Sequence, residues 1–282
     1  MEKHSMMNST KRKSLATEIV MILIAILWFI PIYYLVISTF KTQQDVTQNP
    51  LGLPAVWEFG NYVKAWVKME YPRAFANTLI ITASSVLILV FIGALAGYAL
   101  ARSKTRISNV MFLVFLAGLI VPFQMNIISQ YRIIKELHLM NTLLAVILVD
   151  VAINMPQTVF LFKEFIENSV PWELEEAAII DGCNVPGRVF HVVLPLLKPI
   201  MSTTVIIVSL NVWNEFMTPL LFLQSRKNSV ILQEVSRNIG QFSTDWATMF
   251  PMLMLGVIPL VVFYLFMQKY IIAGVAAGAV KG

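Results

Sequence analysis

Charged residues are scarce in this sequence. They make up 13% of its 282 residues, while 57% are hydrophobic, whereas soluble domains contain about 25% charged residues. A helix that spans a bilayer needs roughly 20 predominantly apolar residues, so the chain has room for about six such helices joined by short connections. We therefore predict an all-α, polytopic membrane protein with about six transmembrane helices and no separate soluble domain.

The sequence is also poor in groups that carry out chemistry. Cys183 is the single cysteine, which excludes an internal disulfide, and no histidine or second cysteine stands at metal-ligand spacing from it. A glycine-rich phosphate-binding loop with Lys and Ser or Thr is missing, as is any Ser/His/Asp, paired His or Cys/His constellation. We expect neither an enzyme nor a cofactor or metal bound by this chain.

The apolar runs predict the order of the segments. A cytoplasmic segment, a first transmembrane helix and an extracytoplasmic loop occupy 1–16, 17–40 and 41–73. A membrane core containing helices 2 to 6 follows at 74–268, and a cytoplasmic tail at 269–282. The spans of this core are predicted at 77–101, 110–128, 143–165, 199–223 and 248–267.

The net charge of +5 does not indicate nucleic-acid binding, because Lys and Arg stand mainly in short clusters beside apolar segments. Such clusters mark the cytoplasmic side of a membrane protein. The tightest clusters are 11–13 and 102–106, and together with an even number of spans they place both termini in the cytoplasm. In the second span, Gly93 and Gly97 have the spacing that allows close helix packing.

One polar stretch, 167–198, interrupts the apolar pattern between the fourth and fifth spans. Pro171 is predicted at the first helical position, before several glutamates that the positive end of a helix dipole favours. Gly182 is predicted to stop this helix in a left-handed conformation, and a second helix is predicted to start at Pro186. Because these charges do not tolerate hydrocarbon, we predict a short helix that lies outside the lipid and binds a soluble partner protein.

The predicted contact needs an anchor, small residues and a sharp bend. Glu176 supplies the charge, Ala177 and Ala178 allow close approach, and Gly182 makes the bend. A helix that only lies on the membrane surface is the alternative, but this helix lacks the basic face that such helices generally carry. The candidate contact residues are Glu173, Glu176, Ala177, Ala178, Asp181 and Gly182.

The order of residues in this stretch resembles the EAA-type cytoplasmic loop of permease subunits of ATP-binding cassette importers. It reads Glu176-Ala177-Ala178, three residues, Gly182, nine residues, Val192, one residue, Leu194-Pro195. Other parts of the chain are similar to carbohydrate-uptake permeases of the binding-protein-dependent MalG type. These parts are 75–79, 95–102, 141–142, 213–216 and 278–282.

The resemblance implies a transport subunit in the cytoplasmic membrane of a bacterium or archaeon, surrounded by the lipid bilayer. Members of this family pair with a second homologous permease and insert the EAA coupling helix, between helices 4 and 5, into a cytoplasmic ATPase dimer. They receive sugar from an extracytoplasmic sugar-binding protein, which a loop such as 224–245 would meet. ATP and Mg are then bound by the partner ATPase and not by this chain.

Polar residues inside the predicted spans are candidates for a translocation path. An ionised carboxylate at a helix centre costs about 2.5 to 3.5 kcal/mol on insertion scales, so each such residue needs a cavity or a polar partner. These residues either line the sugar path or satisfy interhelical hydrogen bonds, and the sequence leaves both interpretations open. The candidates are Asp150 and Asn154 in the fourth span, and Asn211, Asn214 and Glu215 at i, i+3 and i+4 in the fifth.

Two other classes of function compete with the importer. An ion-coupled secondary transporter could use Asp150 and Glu215 as carriers of protons or sodium, but inverted repeats and broken midplane helices are expected there and the sequence shows neither. A polytopic membrane enzyme would need a reactive cluster at a membrane face. The importer permease is therefore the favoured interpretation.

Overall fold

The computed structural model describes residues 2–239 and 244–279, with side chains for 17–122, 124–239 and 244–269. Every regular element in these ranges is helical. The α-helices are α1 (Glu2–Ser38), α2 (Gln43–Gln48), α3 (Gly60–Lys68), α4 (Tyr71–Arg102), α5 (Arg106–Ile120), α6 (Ile127–Glu136), α7 (Leu143–Ser169), α8 (Trp172–Ile180), α9 (Val185–Gly187), α10 (Leu194–Leu196), α11 (Lys198–Trp213), α12 (Met217–Phe222), α13 (Ile231–Ser236) and α14 (Trp246–Ala279). Short 3-10 turns occur at Phe123–Asn126 and Arg226–Asn228, and a π-helical turn occurs at Arg188–Val193. The all-α prediction is confirmed.

Within the described residues, 4 helical segments are long and apolar enough to cross a membrane, or up to 6 if each of two bent pairs is one span. The single segments are Thr17–Ser38, Tyr71–Arg102, Leu143–Ser169 and Trp246–Lys269. The bent pairs are Arg106–Ile120 with Gln124–Glu136, at 98°, and Val185–Leu196 with Lys198–Trp213, at 73°. The chain is a polytopic membrane protein, and the six predicted spans correspond to the upper number.

The predicted third span, 110–128, is not one continuous helix. α5 ends at Ile120, and Val121 has an extended backbone at φ −76° and ψ 116°. The cause is Pro122, because the proline ring disfavours a helical conformation for the residue before it. The chain then turns into α6 at a large angle.

The predicted fifth span, 199–223, is also divided, because α11 ends at Trp213 and α12 begins only at Met217. In one unbroken helix the N–H of residue 219 would pair with the carbonyl of Glu215, but Pro219 has no N–H and its ring clashes with that carbonyl. Pro219 is tolerated in the first turn of α12, where the N–H groups have no intrahelical partner.

Both terminal segments are largely helical. α1 begins at Glu2, so most of the segment 1–16 continues the first transmembrane helix. α14 extends to Ala279, through most of the predicted tail 269–282. The last residues of that tail, 280–282, lie outside the described residues. The side of the membrane on which either terminus lies stays a prediction.

The chain forms two compact units, one made of 1–69 with 237–256 and the other of 70–236 with 257–282. In the second unit, α4 packs along α7, and α11 contacts both of these helices. Its core contains Leu89, Phe162 and Ile166, which are fully buried. This arrangement brings the carboxyl end of α4 beside the segment that follows α7.

Two glycines of α4 make the close packing against α7 possible. Gly93 lies opposite Thr158, and Gly97 lies opposite Phe162. A Cβ atom at position 97 would be 2.6 Å from the Cβ of Phe162 and 3.0 Å from the backbone nitrogen of Lys163. Backbone atoms cannot move aside as a flexible side chain can, so the contact leaves no room for a Cβ at position 97. The predicted packing role of this glycine pair is confirmed.

We predict that Gly97→Ala destabilises the protein by about 1 to 3 kcal/mol, because the added methyl group forces α4 away from α7. The matched control is Gly60→Ala, where a Cβ would have no heavy atom within 4 Å. Fluorescence-detected gel filtration after heating would measure both variants. Equal melting temperatures for Gly97→Ala and the unmodified protein would contradict the prediction.

Candidate functional site

The candidate site is built around α8, the short helix that follows the long helix α7. Pro171 is the N-cap residue, with an extended ψ of 135°, and Trp172 is the first helical residue. The prediction that Pro171 itself occupies the first helical position is therefore wrong by one residue. Glu173 and Glu175 lie in the first turn, where the helix dipole stabilises negative charge.

Gly182 ends α8 as predicted, with a left-handed backbone at φ +80°. The N–H of Cys183 donates to the carbonyl of Ala178 at 2.8 Å, and the N–H of Gly182 donates to that of Ile179 at 3.0 Å. This pair of bonds is the Schellman motif, which satisfies carbonyls that a helix end leaves open. A Cβ at position 182 would meet no heavy atom within 4 Å, so the glycine is needed for its backbone conformation and not for space.

The chain resumes helical structure two residues later. The Asn184 side chain accepts a hydrogen bond from the N–H of Gly187 at 2.9 Å, and α9 therefore starts at Val185 and not at Pro186. A π-helical turn follows at Arg188–Val193. Insertions of this type within helices are frequent at functional sites.

The carboxylate of Glu175 attaches α8 to the membrane core. Its side chain is fully buried, and its Oε1 accepts a hydrogen bond from Nε of Arg102 at 2.7 Å. The hydroxyl of Tyr98 donates to the other oxygen, Oε2, also at 2.7 Å. Both partners lie in the last two turns of α4, so one carboxylate joins α8 to the end of that helix.

A second nitrogen of Arg102 bonds to the same junction. Its Nη2 donates to the carbonyl of Val170, the C-cap residue of α7, at 2.8 Å. Its guanidinium carbon lies 5.6 Å from the ring centroid of Trp172, which is within the range of a cation–π contact. Arg102 therefore connects three helices, and removing one partner of such a buried ion pair typically costs about 3 to 5 kcal/mol.

The predicted contact residues are almost all on the outside. Glu173, Glu176, Ala177, Asp181 and Gly182 are exposed, and only Ala178 is half-buried. Glu173, Ala177 and Ile180 share one face of α8 at helical spacing, and this face points outward, since Ile180 is 81% exposed. The structure thus brings these residues onto one accessible surface, while their contact with a partner stays a prediction.

The sequence alone predicts no role for Glu175, because Glu176 is the residue that fits the EAA motif and Glu175 lies just before it. A usable signal was present in the cluster at 102–106, which is predicted to lie on the same side of the membrane as α8. A glutamate near a basic cluster at a helix end is a natural ion-pair partner. Burial in the structure shows which glutamate fills that role.

The candidate path residues fall into two groups. Asn211 donates from Nδ2 to Oδ1 of Asn154 at 3.1 Å, so this pair forms an interhelical hydrogen bond between α11 and α7. Asn154 also donates to the carbonyl of Asp150 at 2.9 Å. Asp150 is 2% exposed, and its Oδ2 has no hydrogen-bond partner among the described residues.

The polar stripe at 211, 214 and 215 does not continue along one helix, because α11 ends before Asn214. Asn214 donates to the carbonyl of Leu210 at 2.8 Å. Glu215 caps the next helix, since its Oε1 accepts from the N–H groups of Met217 at 2.7 Å and Thr218 at 3.0 Å. Glu215 also borders a small cavity beside Trp213. The described residues contain no group of His, Cys, Asp and Glu arranged to hold a metal.

Comparisons with known proteins cover most of the chain. A family model described as a binding-protein-dependent transport system inner membrane component matches residues 89–276. The melibiose/raffinose/stachyose import permease protein MelC of Bacillus subtilis (strain 168) is 35% identical, over 92% of this chain and 94% of its own length. The multiple sugar-binding transport system permease protein MsmG of Streptococcus mutans serotype c is also 35% identical, over 91% and 93%.

A solved structure has the same fold. It is a chain of a bacterial ABC transporter involved in the import of the acidic polysaccharide alginate, with a TM-score of 0.80 and 20% sequence identity. The match covers 93% of this chain and 97% of that one. At this identity the similarity shows the fold alone.

We predict that Glu175→Ala releases α8 from the membrane core, while the membrane core itself stays folded. The loss of a buried partner for Arg102 costs about 3 kcal/mol, which corresponds to about 100-fold faster amide exchange in α8. Hydrogen-exchange mass spectrometry on 172–180 would measure this change. The control, Glu173→Ala, removes an exposed carboxylate of the same turn and is expected to change exchange by less than about tenfold. Equal protection in the two variants would contradict the assigned role of Glu175.

Proposed function

Because this chain belongs to the binding-protein-dependent inner membrane components of ATP-binding cassette importers, we propose that it is the permease subunit of a sugar importer whose α8 couples ATP hydrolysis to transport. The family membership confirms the resemblance found in the sequence. Members are transport components and not ATPases. The membership also argues against the ion-coupled transporter considered above.

The substrate class is supported by the relatives. MelC is named for melibiose, raffinose and stachyose, and MsmG for multiple sugars. Both are similar to this chain over almost its whole length. We therefore propose a sugar substrate, delivered by an extracytoplasmic binding protein.

The observation that carries the coupling role is the difference between two adjacent glutamates. Glu175 is buried against Arg102, whereas Glu176 is exposed, and no ion pair to it is present in the described part of the chain. Successive residues of a helix point about 100° apart. One carboxylate can therefore hold α8 to the permease while the next reaches a partner.

In the proposed mechanism, α8 enters a cleft of a cytoplasmic ATPase dimer. ATP and Mg are bound there, and closure of the dimer displaces α8. Because Glu175 and Arg102 join α8 to α4, the displacement moves the membrane helices of this chain. A second homologous permease forms the other half of the path, and both termini of this chain lie in the cytoplasm.

The opposite end of the second unit supplies a surface suited to the binding protein. Glu234 is 1% exposed and pairs with Arg73 at 2.9 Å and Arg226 at 3.3 Å. Asn141, with a left-handed backbone, accepts hydrogen bonds at Oδ1 from the N–H groups of Gln224 and Ser225. These bonds order 224–236, which we propose as the docking part of the predicted loop 224–245; residues 240–243 of that loop lie outside the described residues.

The polar residues of α7 and α11 remain candidates for the sugar path. The bond between Asn154 and Asn211 supports a structural role for this pair, and the helix cap supports one for Glu215. Asp150 and Asn214 have no comparable bond to another helix among the described contacts. We propose that Asp150 has a role in transport, because it is buried and its Oδ2 has no hydrogen-bond partner among the described residues.

We predict that Glu176→Lys strongly impairs coupling but not folding. The substitution reverses a charge at the proposed contact with the ATPase, where a like-charge contact costs several kcal/mol, so ATP-dependent uptake should fall about tenfold or more. Uptake by proteoliposomes containing the complete transporter would measure this effect. The variant should melt at the temperature of the unmodified chain, because Glu176 is exposed. Normal uptake would contradict the proposed contact.

We predict that Gly182→Val impairs coupling and that Gly182→Asn largely preserves it. A left-handed conformation costs a non-glycine residue roughly 1 to 2 kcal/mol, and asparagine tolerates it best. Since neither side chain meets a neighbour at Cβ, the two variants differ through the backbone. The ratio of sugar transported to ATP hydrolysed would measure the effect, and equal ratios would show that the bend is not required.

A further inference from the structure

The segment between α1 and α4 has an apolar surface that the rest of its unit does not cover. α3 has three distinct faces. Asn61, Ala65 and Met69 are buried. Lys64 and Lys68 form a polar face, and a third face is apolar and exposed. Its members are Phe59, just before the helix, at 64% exposure, Val63 at 67%, Trp66 at 45% and Val67 at 68%.

Hydrogen bonds attach this segment to the end of the first transmembrane helix. Asn61 donates from Nδ2 to the carbonyls of Thr39 at 3.3 Å and Lys41 at 2.9 Å. The Tyr62 hydroxyl donates to Oγ1 of Thr39 at 3.1 Å. Since the apolar span ends at Ser38, α3 starts at the level of the membrane boundary.

Aromatic rings mark the same level. Phe40 lies 5.6 Å from Trp57, 5.2 Å from Phe59 and 5.6 Å from Tyr62, measured between ring centroids. Trp57 is 52% exposed. Tryptophan and tyrosine are enriched where the hydrocarbon meets the headgroups, so the composition of this cluster agrees with its position.

A further contact shows that the segment reaches past the level of Ser38 toward the middle of the membrane. The hydroxyl of Tyr33 donates to the carbonyl of Leu51 at 3.2 Å. Tyr33 precedes Ser38 by five residues, which is about 7.5 Å along a helix. Leu51 is 58% exposed and its neighbour Leu53 is 64% exposed. Exposed leucines at that depth face lipid more favourably than water.

We propose that the segment 51–68 lies in the interface of the bilayer on the side where α1 ends, with the apolar face of α3 among the acyl chains. Interfacial helices bury their apolar face about 5 to 10 Å deep, which matches the depth of Leu51. Lys64 and Lys68 flank that face and lie at the level of the lipid phosphates. Lys68 also approaches Asp245 at 3.8 Å, and both side chains are half exposed.

Collision rates of nitroxide labels test this placement. Cys183→Ser provides a background without cysteine, and Val63→Cys and Lys64→Cys place labels on the apolar and the polar face. The full chain is purified from membranes and placed in lipid nanodiscs. We expect the ratio of oxygen to nickel-complex collision rates to be several-fold higher at 63 than at 64.

The experiment has two contradicting outcomes. Equal and low ratios at 63 and 64 would place α3 in water, and equal ratios of any size would contradict a helix with only one face in lipid. A label at 63 that neither oxygen nor the nickel complex reaches would indicate a protein partner on this face. A label at 67 repeats the measurement if the variant at 63 does not fold. Collision rates with oxygen and with the nickel complex depend on neither sugar nor ATP. A result that contradicts the interfacial placement is therefore separate from one that contradicts the proposed transport function.

A measurement without labels gives an independent check. Brominated acyl chains quench tryptophan only at short range, so the difference in fluorescence between the unmodified chain and Trp66→Phe reports the position of Trp66. We expect this difference signal to be quenched in brominated lipid, and that of Trp57→Phe likewise. The matched comparison is Trp172→Phe, because Trp172 belongs to α8 and lies beside Arg102 of α4. Equal quenching of all three signals would overturn the assignment.

Discussion

A buried carboxylate requires a partner, and this requirement determines how α8 is attached. The ion pair between Glu175 and Arg102 is the contact on which the site depends, because Arg102 also bonds the end of α7 and lies over Trp172. Its position depends in turn on the glycines of α4, which allow that helix to lie against α7. The packing of two apolar helices therefore determines where a polar helix outside the core can be held.

The same arrangement recurs at the other end of α4. Arg73 in the first turn pairs with Glu234, and Arg102 in the last turn pairs with Glu175, and both glutamates are almost completely buried. The two arginines are separated by about 44 Å along a straight helix. α4 is thus tied by a buried ion pair to α8 at one end and to the ordered segment 224–236 at the other. A rigid-body movement of this single helix would reach both surfaces.

The sequence predicted those features that depend on local physical chemistry. Long apolar runs indicated helices, and Gly182 indicated a left-handed stop, since few other residues adopt that conformation at low cost. The breaks near Pro122 and before Pro219 were also local, but apolar composition hid them because hydropathy does not register a missing N–H. The choice between Glu175 and Glu176 was not local. It depends on the distant Arg102, and the distance in sequence gives no indication of this pairing.

Once Glu175 points inward, the rest of the outward surface follows from helix geometry. At about 100° per residue, Glu173, Glu176, Ala177 and Ile180 all lie between about 100° and 200° from it. Two carboxylates, a small residue and an exposed isoleucine therefore share one arc. A partner that binds there must offer cationic groups around an apolar recess, and it cannot exchange Glu176 for Glu175 without turning the helix and separating Arg102 from its counterion. The different directions of these two carboxylates, one buried and one exposed, are thus a consequence of the rotation of about 100° per residue of the helix.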